Sequence, residues 1–340
     1  MNLGELRTIL SSEGIDPSWY ALDRRELASH VSAYRIGIHH KHWCVWYADH
    51  GYMTEEHRFA SEDEACRYLL EVLRNHWADR HEAEPAEELT GGVNQVLRIG
   101  STVHRPAGPW TPAVHALLSH LADVGFDGAP RAKGIDEVGR EIVSYIAGDV
   151  TNYPRADYAT TDRALGEVAA LLRRYHDATV DFAPPDDAVW QFPAREPVEV
   201  ICHGDVAHYN CVFRNGHPVA FIDFDTAHPG PRRWDVAYAA YRFVPLTAPS
   251  TVDFTLPLDQ QMIRLRQFCD AYSLEPDDRD VLPDTAIETL RALVDHMRER
   301  AAAGDEAFQR HLDEGHDAVY LADIAHIEAN ATHLRRAVRM

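Results

Sequence analysis

The stretch from Ile201 to Ala237 contains the residues whose types and spacing best suit catalysis. Asp205 follows a predicted strand, and Asn210 comes five residues later, so one loop can present both side chains. Asp223 lies at the end of the next predicted hairpin strand. Phosphoryl transfer from a nucleotide needs a carboxylate to orient the attacking hydroxyl and oxygen ligands to hold Mg²⁺ against the phosphates. These three residues could meet both needs, because loops at strand ends commonly carry catalytic groups.

The elements that must position these residues form a strand-rich part followed by a long helical part. Apolar periodicity, glycine turns and β-branched runs predict a glycine turn entering a strand, its hairpin partner, a helix and a short strand. In order, these are 90–99, 101–105, 109–124 and 141–146. Next come a long amphipathic helix at 162–179, a strand at 196–202 and a hairpin around 214–218. From Trp234 onward the pattern is mostly helical.

Residues 1–77 are predicted to form a separate small α+β domain. Strand-like segments at 32–40, 43–49 and 52–59 suggest a three-stranded meander between two helices. Ser61 and Glu64 form a predicted capping box at the start of the second helix. The acidic segment 78–88 is predicted to be a linker. The two lobes that follow are expected at 89–147 and 148–340.

The order His203-Gly204-Asp205, Asn210, Ile222-Asp223-Phe224-Asp225 and then Asp235 resembles the aminoglycoside phosphotransferase/choline kinase-like family. That resemblance implies a protein-kinase-like bilobal fold and transfer of the γ-phosphate of ATP or GTP to a small-molecule hydroxyl, with Mg²⁺. It makes Asp205 the catalytic carboxylate, braced by His203, and makes Asn210 and Asp223 the Mg²⁺ ligands. The implied supporting residues are Gly204, Asp225 and Asp235.

The residues that would bind the nucleotide match the family pattern less completely. Gly91, Gly92 and Asn94 resemble the phosphate-side loop of the family, and Ser144 to Ile146 would be the hinge whose backbone meets the adenine. The family lysine that pairs with the phosphates is absent, because the two lysines of this chain, Lys41 and Lys133, lie elsewhere. Arg105, on the predicted strand 101–105, is the candidate replacement, with His104 next. The glutamate that pairs with that lysine is also missing, since Val114 stands at about its position.

Composition excludes several classes of function. Of 340 residues, 54 are acidic and 33 are Lys or Arg, which gives a net charge of −21 and argues against a nucleic-acid partner. No apolar run approaches the roughly 20 residues of a membrane span. The five cysteines form no CxxC pair and are expected to be reduced thiols. With no signal-like start, the expected location is cytoplasmic.

Two functions are carried forward from the sequence. The first is an ATP- or GTP-dependent phosphotransferase for an amine-bearing acceptor such as an aminoglycoside or choline, which the acidic residues Asp277, Asp278, Asp280 and Asp284 weakly favour. The alternative is a pseudokinase-like immunity or binding protein that sequesters a toxin, peptide or other ligand. The missing Lys/Glu pair favours that alternative, as does the resemblance of 43–70 to small toxin-immunity domains. A metal hydrolase is disfavoured, because the chain lacks further His ligands in a matching pattern.

Overall fold

The computed structural model describes residues 1–13, 15, 17–22, 33–49, 52–81, 87–89, 96–251 and 254–339. The chain divides into two compact units, Met1–Pro85 and Ala86–Met340. Among the described residues, none of the helices combines the length and hydropathy that a membrane span requires. The predicted phosphate-side residues Gly91, Gly92 and Asn94 lie outside the described residues.

The first unit is a four-stranded sheet covered by two helices. In chain order its elements are α1 (Leu3–Ser12), β1 (Tyr20–Ala21), β2 (Ala33–His39), β3 (His42–Asp49), β4 (Tyr52–Phe59) and α2 (Glu62–His81). The sheet order is β1-β2-β3-β4; β1 pairs in parallel with β2, and the other pairs are antiparallel. Leu6 and Leu10 of α1 and Leu69 and Leu73 of α2 are fully buried in one core cluster. The helix–meander–helix order predicted for this region is confirmed.

Side chains at the two helix starts satisfy backbone N–H groups that would otherwise lack partners. The Asn2 side chain accepts a hydrogen bond from Glu5 N at 2.9 Å, and the Glu5 carboxylate accepts one from Asn2 N at 3.1 Å. At α2, Ser61 Oγ accepts from Glu64 N at 3.2 Å. The Glu64 carboxylate reaches one residue further back than predicted, to Ala60 N at 3.0 Å. Both helices are therefore capped by their own sequence.

The second unit begins with a five-stranded antiparallel sheet in the order β5-β6-β7-β9-β8. Its elements are β5 (Glu87–Leu89), β6 (Val96–Ile99), β7 (Thr102–Pro106), α3 (Thr111–Asp123), β8 (Ala132–Ile135) and β9 (Arg140–Ser144). Glu87 and Glu88, assigned to the linker from the sequence, pair with Arg98 and Leu97 in this sheet. Residues 78–81 likewise belong to α2. Strand β8 was not predicted from the sequence.

The rest of the second unit is largely helical, with two short two-stranded sheets that carry the catalytic segment. β10 (Val200–Cys202) pairs with β13 (His228–Gly230), and β11 (Cys211–Arg214) pairs with β12 (His217–Phe221). The helices are α4 (Asp157–Thr160), α5 (Asp162–Thr179), α6 (Arg232–Phe243), α7 (Leu258–Tyr272), α8 (Pro276–Ala302), α9 (Glu306–Asp313) and α10 (His316–Arg339). The inward face predicted for α5, including Leu165, Val168 and Leu172, is buried in the main core.

Candidate active site

The loop after β10 is fixed by a buried carboxylate at the start of α6. Asp235 accepts hydrogen bonds from His203 N at 2.6 Å and Gly204 N at 2.9 Å. His176 on α5 lies between Asp235 Oδ2, at 3.1 Å, and Tyr272 OH, at 2.7 Å. Burial alone would raise the pKa of Asp235, but the hydrogen bonds from these partners lower it. A charged Asp235 is therefore held where it orients two successive backbone N–H groups of the loop.

His203 links this loop to the segment that carries Asp223. Its Nδ1 accepts from Asp205 N at 3.3 Å, so its Nε2 is the nitrogen that donates to Ile222 O, at 3.0 Å. Thr226 Oγ1 donates to His203 O at 2.9 Å. His203 is fully buried. It can therefore position Asp205 and Asp223, but it cannot touch a substrate.

Gly204 is required where the loop passes closest to its neighbour. Its φ of +85° lies in the region that residues with a side chain avoid. A Cβ at this position would lie 2.4 Å from Thr226 O, which is backbone and cannot swing aside. The close approach predicted for Gly204 is therefore present, although its neighbour is protein backbone.

The carboxylate of Asp205 is oriented by two side chains of the same loop. Tyr209 OH donates to Asp205 Oδ1 at 2.9 Å, and Asn210 Nδ2 donates to Asp205 Oδ2 at 2.9 Å and to Asp205 O at 3.0 Å. Burial raises the pKa of Asp205, while the Tyr209 hydrogen bond and the charge of Arg242 oppose that rise. A fixed carboxylate with a raised pKa is suited to orient a hydroxyl and accept its proton.

Asn210 and Asp223 are joined through the backbone. Ile222 N donates to Asn210 O at 2.9 Å, which brings the residue before Asp223 against the catalytic loop. Because Asn210 uses its amide nitrogen on Asp205, its side-chain oxygen is the atom left for a cation. Asp223 follows β12 with a φ of +64°, an unusual conformation for a residue other than glycine, and its side chain is half-exposed. An amide oxygen and an accessible carboxylate fit the oxygen ligands that Mg²⁺ prefers.

Arg105 binds three carboxylates at once. Its Nε donates to Glu141 Oε2 at 2.5 Å, its Nη1 to Asp223 Oδ1 at 2.6 Å and its Nη2 to Asp225 Oδ1 at 2.7 Å. Burial raises the pKa of Asp225 to about 6, although Arg105 opposes the rise. The guanidinium thus lies directly on the predicted metal ligand Asp223 and on its neighbour Asp225.

Glu141 supplies the acidic partner that the sequence did not reveal. It lies on β9 directly opposite Arg105 on β7, and it is only 1% exposed. Its second oxygen lies 3.0 Å from His115 Nε2 on α3. Burial raises the pKa of Glu141, but the contacts with His115 and Arg105 lower it overall. Arg105 therefore has a buried glutamate partner, contributed by a neighbouring strand instead of by the helix at Val114.

The remaining nucleotide-side predictions have mixed outcomes. His104, the second candidate for the phosphate contact, is bound to Asp136 Oδ2 at 3.0 Å and to Thr102 Oγ1 at 3.1 Å. Ser144 N donates to Arg131 O at 2.9 Å, so this N–H is not open to an adenine. Within the described residues, no hydrogen bond engages the backbone of Ile146. Ile146 is therefore the better hinge candidate of the pair.

The acidic residues of α8 do not line the catalytic loop as a free negative surface. Three of the four have arginine partners: Asp278 lies 3.4 Å from Arg233, Asp280 lies 2.5 Å from Arg339 and Asp284 lies 2.6 Å from Arg335. These three ion pairs weaken the electrostatic argument for an amine-bearing acceptor, which stays a prediction. Instead, the side chains around Asp205 that sequence reasoning missed are Tyr209, Tyr238 and Arg242; their positions in the sequence carry no distinguishing pattern.

Comparison with known proteins bears directly on this segment. The model of the phosphotransferase enzyme family matches residues 186–272. The sequence similarity to this family therefore lies in residues 186–272. They include every residue of the catalytic loop and of the Asp223 segment, and the family resemblance inferred from the sequence is confirmed.

Similar solved structures extend the likeness to the fold. An amicoumacin kinase in complex with AMP-PNP and Ca²⁺ has a TM-score of 0.52 at 12% identity and covers 74% of this chain and 96% of its own. A choline/ethanolamine kinase family protein from Mesorhizobium loti has a TM-score of 0.52 at 16% identity, with coverages of 80% and 99%. Wild-type aminoglycoside 2′-phosphotransferase-IIIa with GDP has a TM-score of 0.52 at 15% identity, with coverages of 78% and 99%. The kinase-like bilobal α+β fold is confirmed.

A curated relative carries a different description. The trifolitoxin immunity protein of Rhizobium leguminosarum bv. trifolii is 39% identical over 155 residues. The match covers 44% of this chain and 57% of the relative, so the chain spans little more than half of that protein. The matched part of this chain is longer than the whole first unit. The match therefore includes part of the kinase-like unit.

Proposed function

We propose that this chain is a phosphotransferase that uses Mg²⁺ and ATP or GTP to phosphorylate a hydroxyl of a small molecule. The observation that carries the proposal is the Asp205 carboxylate, fixed by Tyr209 and Asn210 beside the segment of Asp223. A binding protein without turnover has no need to orient a carboxylate in this way. The acceptor class, including the amine-bearing compounds expected from the sequence, stays a prediction.

In this mechanism each residue has a distinct task. Asp205 accepts a hydrogen bond from the acceptor hydroxyl and orients its oxygen toward the γ-phosphate, taking its proton as the new P–O bond forms and the bond to the β-phosphate oxygen breaks. Asn210 and Asp223 would hold Mg²⁺, which neutralises phosphate charge when bound. Asp235 and His203 keep the loop in place. Arg105 must share or release Asp223 for the cation to bind there.

An immunity function without turnover is the second candidate. Two observations favour it: the similarity to the trifolitoxin immunity protein, and the Arg105 guanidinium that already neutralises Asp223 and Asp225. In that case the kinase-like unit, or the first unit, would bind a toxin or peptide directly. Nucleotide turnover that is lost in Asp205→Asn separates the two candidates, because a binding protein can bind nucleotide without transferring a phosphate.

The test is a thermal-unfolding comparison with Mg-ATP and Mg-GTP. A ligand present at 100 times its Kd stabilises the folded state by about 2.7 kcal/mol. We expect the wild type to gain melting temperature with at least one nucleotide, and Asp223→Ala to lose most of the gain. Asp186→Ala, an exposed loop aspartate, is the matched control and should respond like the wild type. An unchanged melting temperature with both nucleotides would contradict the proposal.

A further inference from the structure

Arg242 is a buried cation whose hydrogen bonding is incomplete. It lies near the end of α6 and is only 6% exposed. One Nη donates to the hydroxyl of Tyr153, while Nε is buried and has no hydrogen-bond partner. Within the described residues, no ion pair joins Arg242 to a carboxylate. Burying a charge without a paired partner is costly, so a position of this kind needs an explanation.

The guanidinium of Arg242 lies one tyrosine side chain away from the catalytic carboxylate. Its central carbon is 5.3 Å from the ring centre of Tyr209, whose hydroxyl donates to Asp205. Tyr238 OH lies 3.3 Å from Tyr209 OH, on the same side of Asp205. Arg242 therefore lies beside the site at which an acceptor hydroxyl would meet Asp205.

The nearby carboxylates are already used by other groups. Asp323 accepts from Tyr241 OH at 2.8 Å, from Ala248 N at 2.7 Å and from Thr251 Oγ1 at 2.8 Å. Asp162 is bound to Arg264 at 2.5 Å. Both oxygens of Asp205 are bound by Tyr209 and Asn210. None of these groups is left to neutralise Arg242 by direct contact.

The guanidinium of a second arginine lies close to Arg242. Arg155 donates to Arg242 O at 3.3 Å. A cationic acceptor would meet repulsion here, whereas an anionic one would be attracted.

We propose that Arg242 binds an oxyanion of the acceptor, so that the phosphorylated compound carries a carboxylate or a phosphate as well as its hydroxyl. A guanidinium suits this task because its planar fork matches an oxyanion in two hydrogen bonds. The oxyanion would take the place of the Tyr153 hydroxyl, which lies on a side chain that is 45% exposed. This substrate class rests on the proposed phosphotransferase function.

Direct binding measurements on the full chain test the proposal without nucleotide. The probes are glucuronate, glucose 6-phosphate, glucose and glucosamine, which share a ring and differ in charge, with serine and ethanolamine as a smaller pair. We expect at least one oxyanion probe to bind ten-fold or more tightly than its neutral or cationic counterpart. Glucuronate and glucose 6-phosphate distinguish a carboxylate from a phosphate.

Substitutions test whether Arg242 causes the preference for oxyanion probes. Arg242→Met should abolish it, with a ten-fold or greater loss for the oxyanion probe, and Arg242→Lys should keep part of it. Arg233→Met on the same helix, whose partner is Asp278, is the matched control and should keep the full preference. Because a buried substitution can impair folding, Tyr153→Phe gives a second readout. It frees one Nη of Arg242 and should tighten oxyanion binding about two- to five-fold.

Several results would overturn the oxyanion proposal. These are no oxyanion binding at tens of millimolar, equal or tighter binding of the neutral and cationic probes, a preference that survives in Arg242→Met, or weaker binding in Tyr153→Phe. A protein that binds Mg-nucleotide but prefers glucosamine would refute this inference alone. A protein that shows the Arg242-dependent preference but binds no nucleotide would refute the phosphotransferase proposal alone.

Discussion

Arg105 is the residue in which this chain differs most from the pattern its sequence resembles. It lies 12% exposed among Glu141, Asp223 and Asp225, and the three carboxylates together raise the pKa of its guanidinium against the effect of burial. Arginine suits this position because its three nitrogens can each reach a different carboxylate, whereas a lysine has one nitrogen. The same residue could still contact phosphates once a metal neutralises Asp223, so the predicted phosphate contact stays a prediction.

Arg105→Ala should destabilise the protein strongly. It leaves Glu141 buried with only His115 as partner, and removing one member of a buried ion pair costs about 3–5 kcal/mol. Arg105→Lys should cost less. The free energy of unfolding in denaturant measures both. Arg98→Ala on the adjacent strand is the matched control, because its pair with Glu87 is exposed and should contribute no more than about 1 kcal/mol. Equal losses at the two positions would contradict the buried cluster.

The sequence predicted much of this site at the level of single residues. The spacing of Asp205 and Asn210 already suggests one shared loop, and Asp223 is predicted at the end of the next hairpin strand. Arg105 is the predicted phosphate contact because neither of the two lysines of the chain lies on the predicted strands that follow the glycine turn. Glu141 and Arg242 could not be selected, because their importance depends on strand register and helix packing. Glu141 becomes the partner of Arg105 only when β9 pairs with β7 in the observed register.

At the scale of elements, the catalytic loop is held by the pairing of β10 with β13 and by the start of α6. In the turn at Gly204 there is no room for a side chain, because a Cβ would meet Thr226 O. Gly204→Ala should therefore destabilise the protein by more than the strain of a positive φ, which alone costs of order 1–3 kcal/mol. Denaturant unfolding and nucleotide binding are the measurements.

Gly139→Ala isolates the steric part of that effect. Gly139 has a φ of +84°, almost identical to that of Gly204, but no atom lies within 4 Å of the Cβ it would gain. Both variants should lose stability, and Gly204→Ala should lose more. If the two losses are equal, the contact with Thr226 O is not what requires glycine in the loop.

His228 on β13 should make the stability of the folded protein depend on pH. Its Nδ1 lies 2.8 Å from Thr226 O, its Nε2 is buried without a partner, and burial lowers its pKa below 6.5. Above pH 6.5 neither the folded nor the unfolded state binds the proton. Below it the unfolded state binds the proton first, so folding loses up to about 1.4 kcal/mol per pH unit. His228→Leu should flatten the stability curve between pH 7 and pH 5; an unchanged slope would contradict this.

Helices α2, α3 and α5 and the strands of five or more residues were predicted correctly, whereas α4 and the short strands β1, β5, β8 and β13 were not. The stripe of Val114, Leu117, Leu118 and Leu121 is buried on α3 as its spacing indicates. Strands β1, β5, β8 and β13 have two to four residues, too few to show an alternation of apolar and polar positions. They form because a neighbouring strand offers hydrogen bonds, which is a property of the tertiary structure.

At the scale of the whole molecule, the kinase-like unit should fold without the first one. A fragment of residues 84–340 contains all of Ala86–Met340, including the edge strand β5. We expect it to unfold cooperatively and to keep the melting shift with Mg-nucleotide. A matched fragment beginning at residue 96 lacks β5 and should be less stable, because β6 would lose its partner on that side. An insoluble 84–340 fragment, or one without the nucleotide shift, would show that residues 1–83 belong to the same cooperative unit.

Asp205→Asn tests most directly whether this chain transfers phosphoryl groups. The asparagine keeps the shape of the side chain and removes its ability to accept a proton. Nucleotide binding and the release of phosphate from Mg-ATP or Mg-GTP, with water as acceptor, are measured on wild type and variant together. We predict nearly unchanged nucleotide affinity and a loss of turnover of roughly 10²–10⁴-fold, the range for a positioned base. Turnover in Asp205→Asn equal to that of the wild type would contradict the phosphotransferase function.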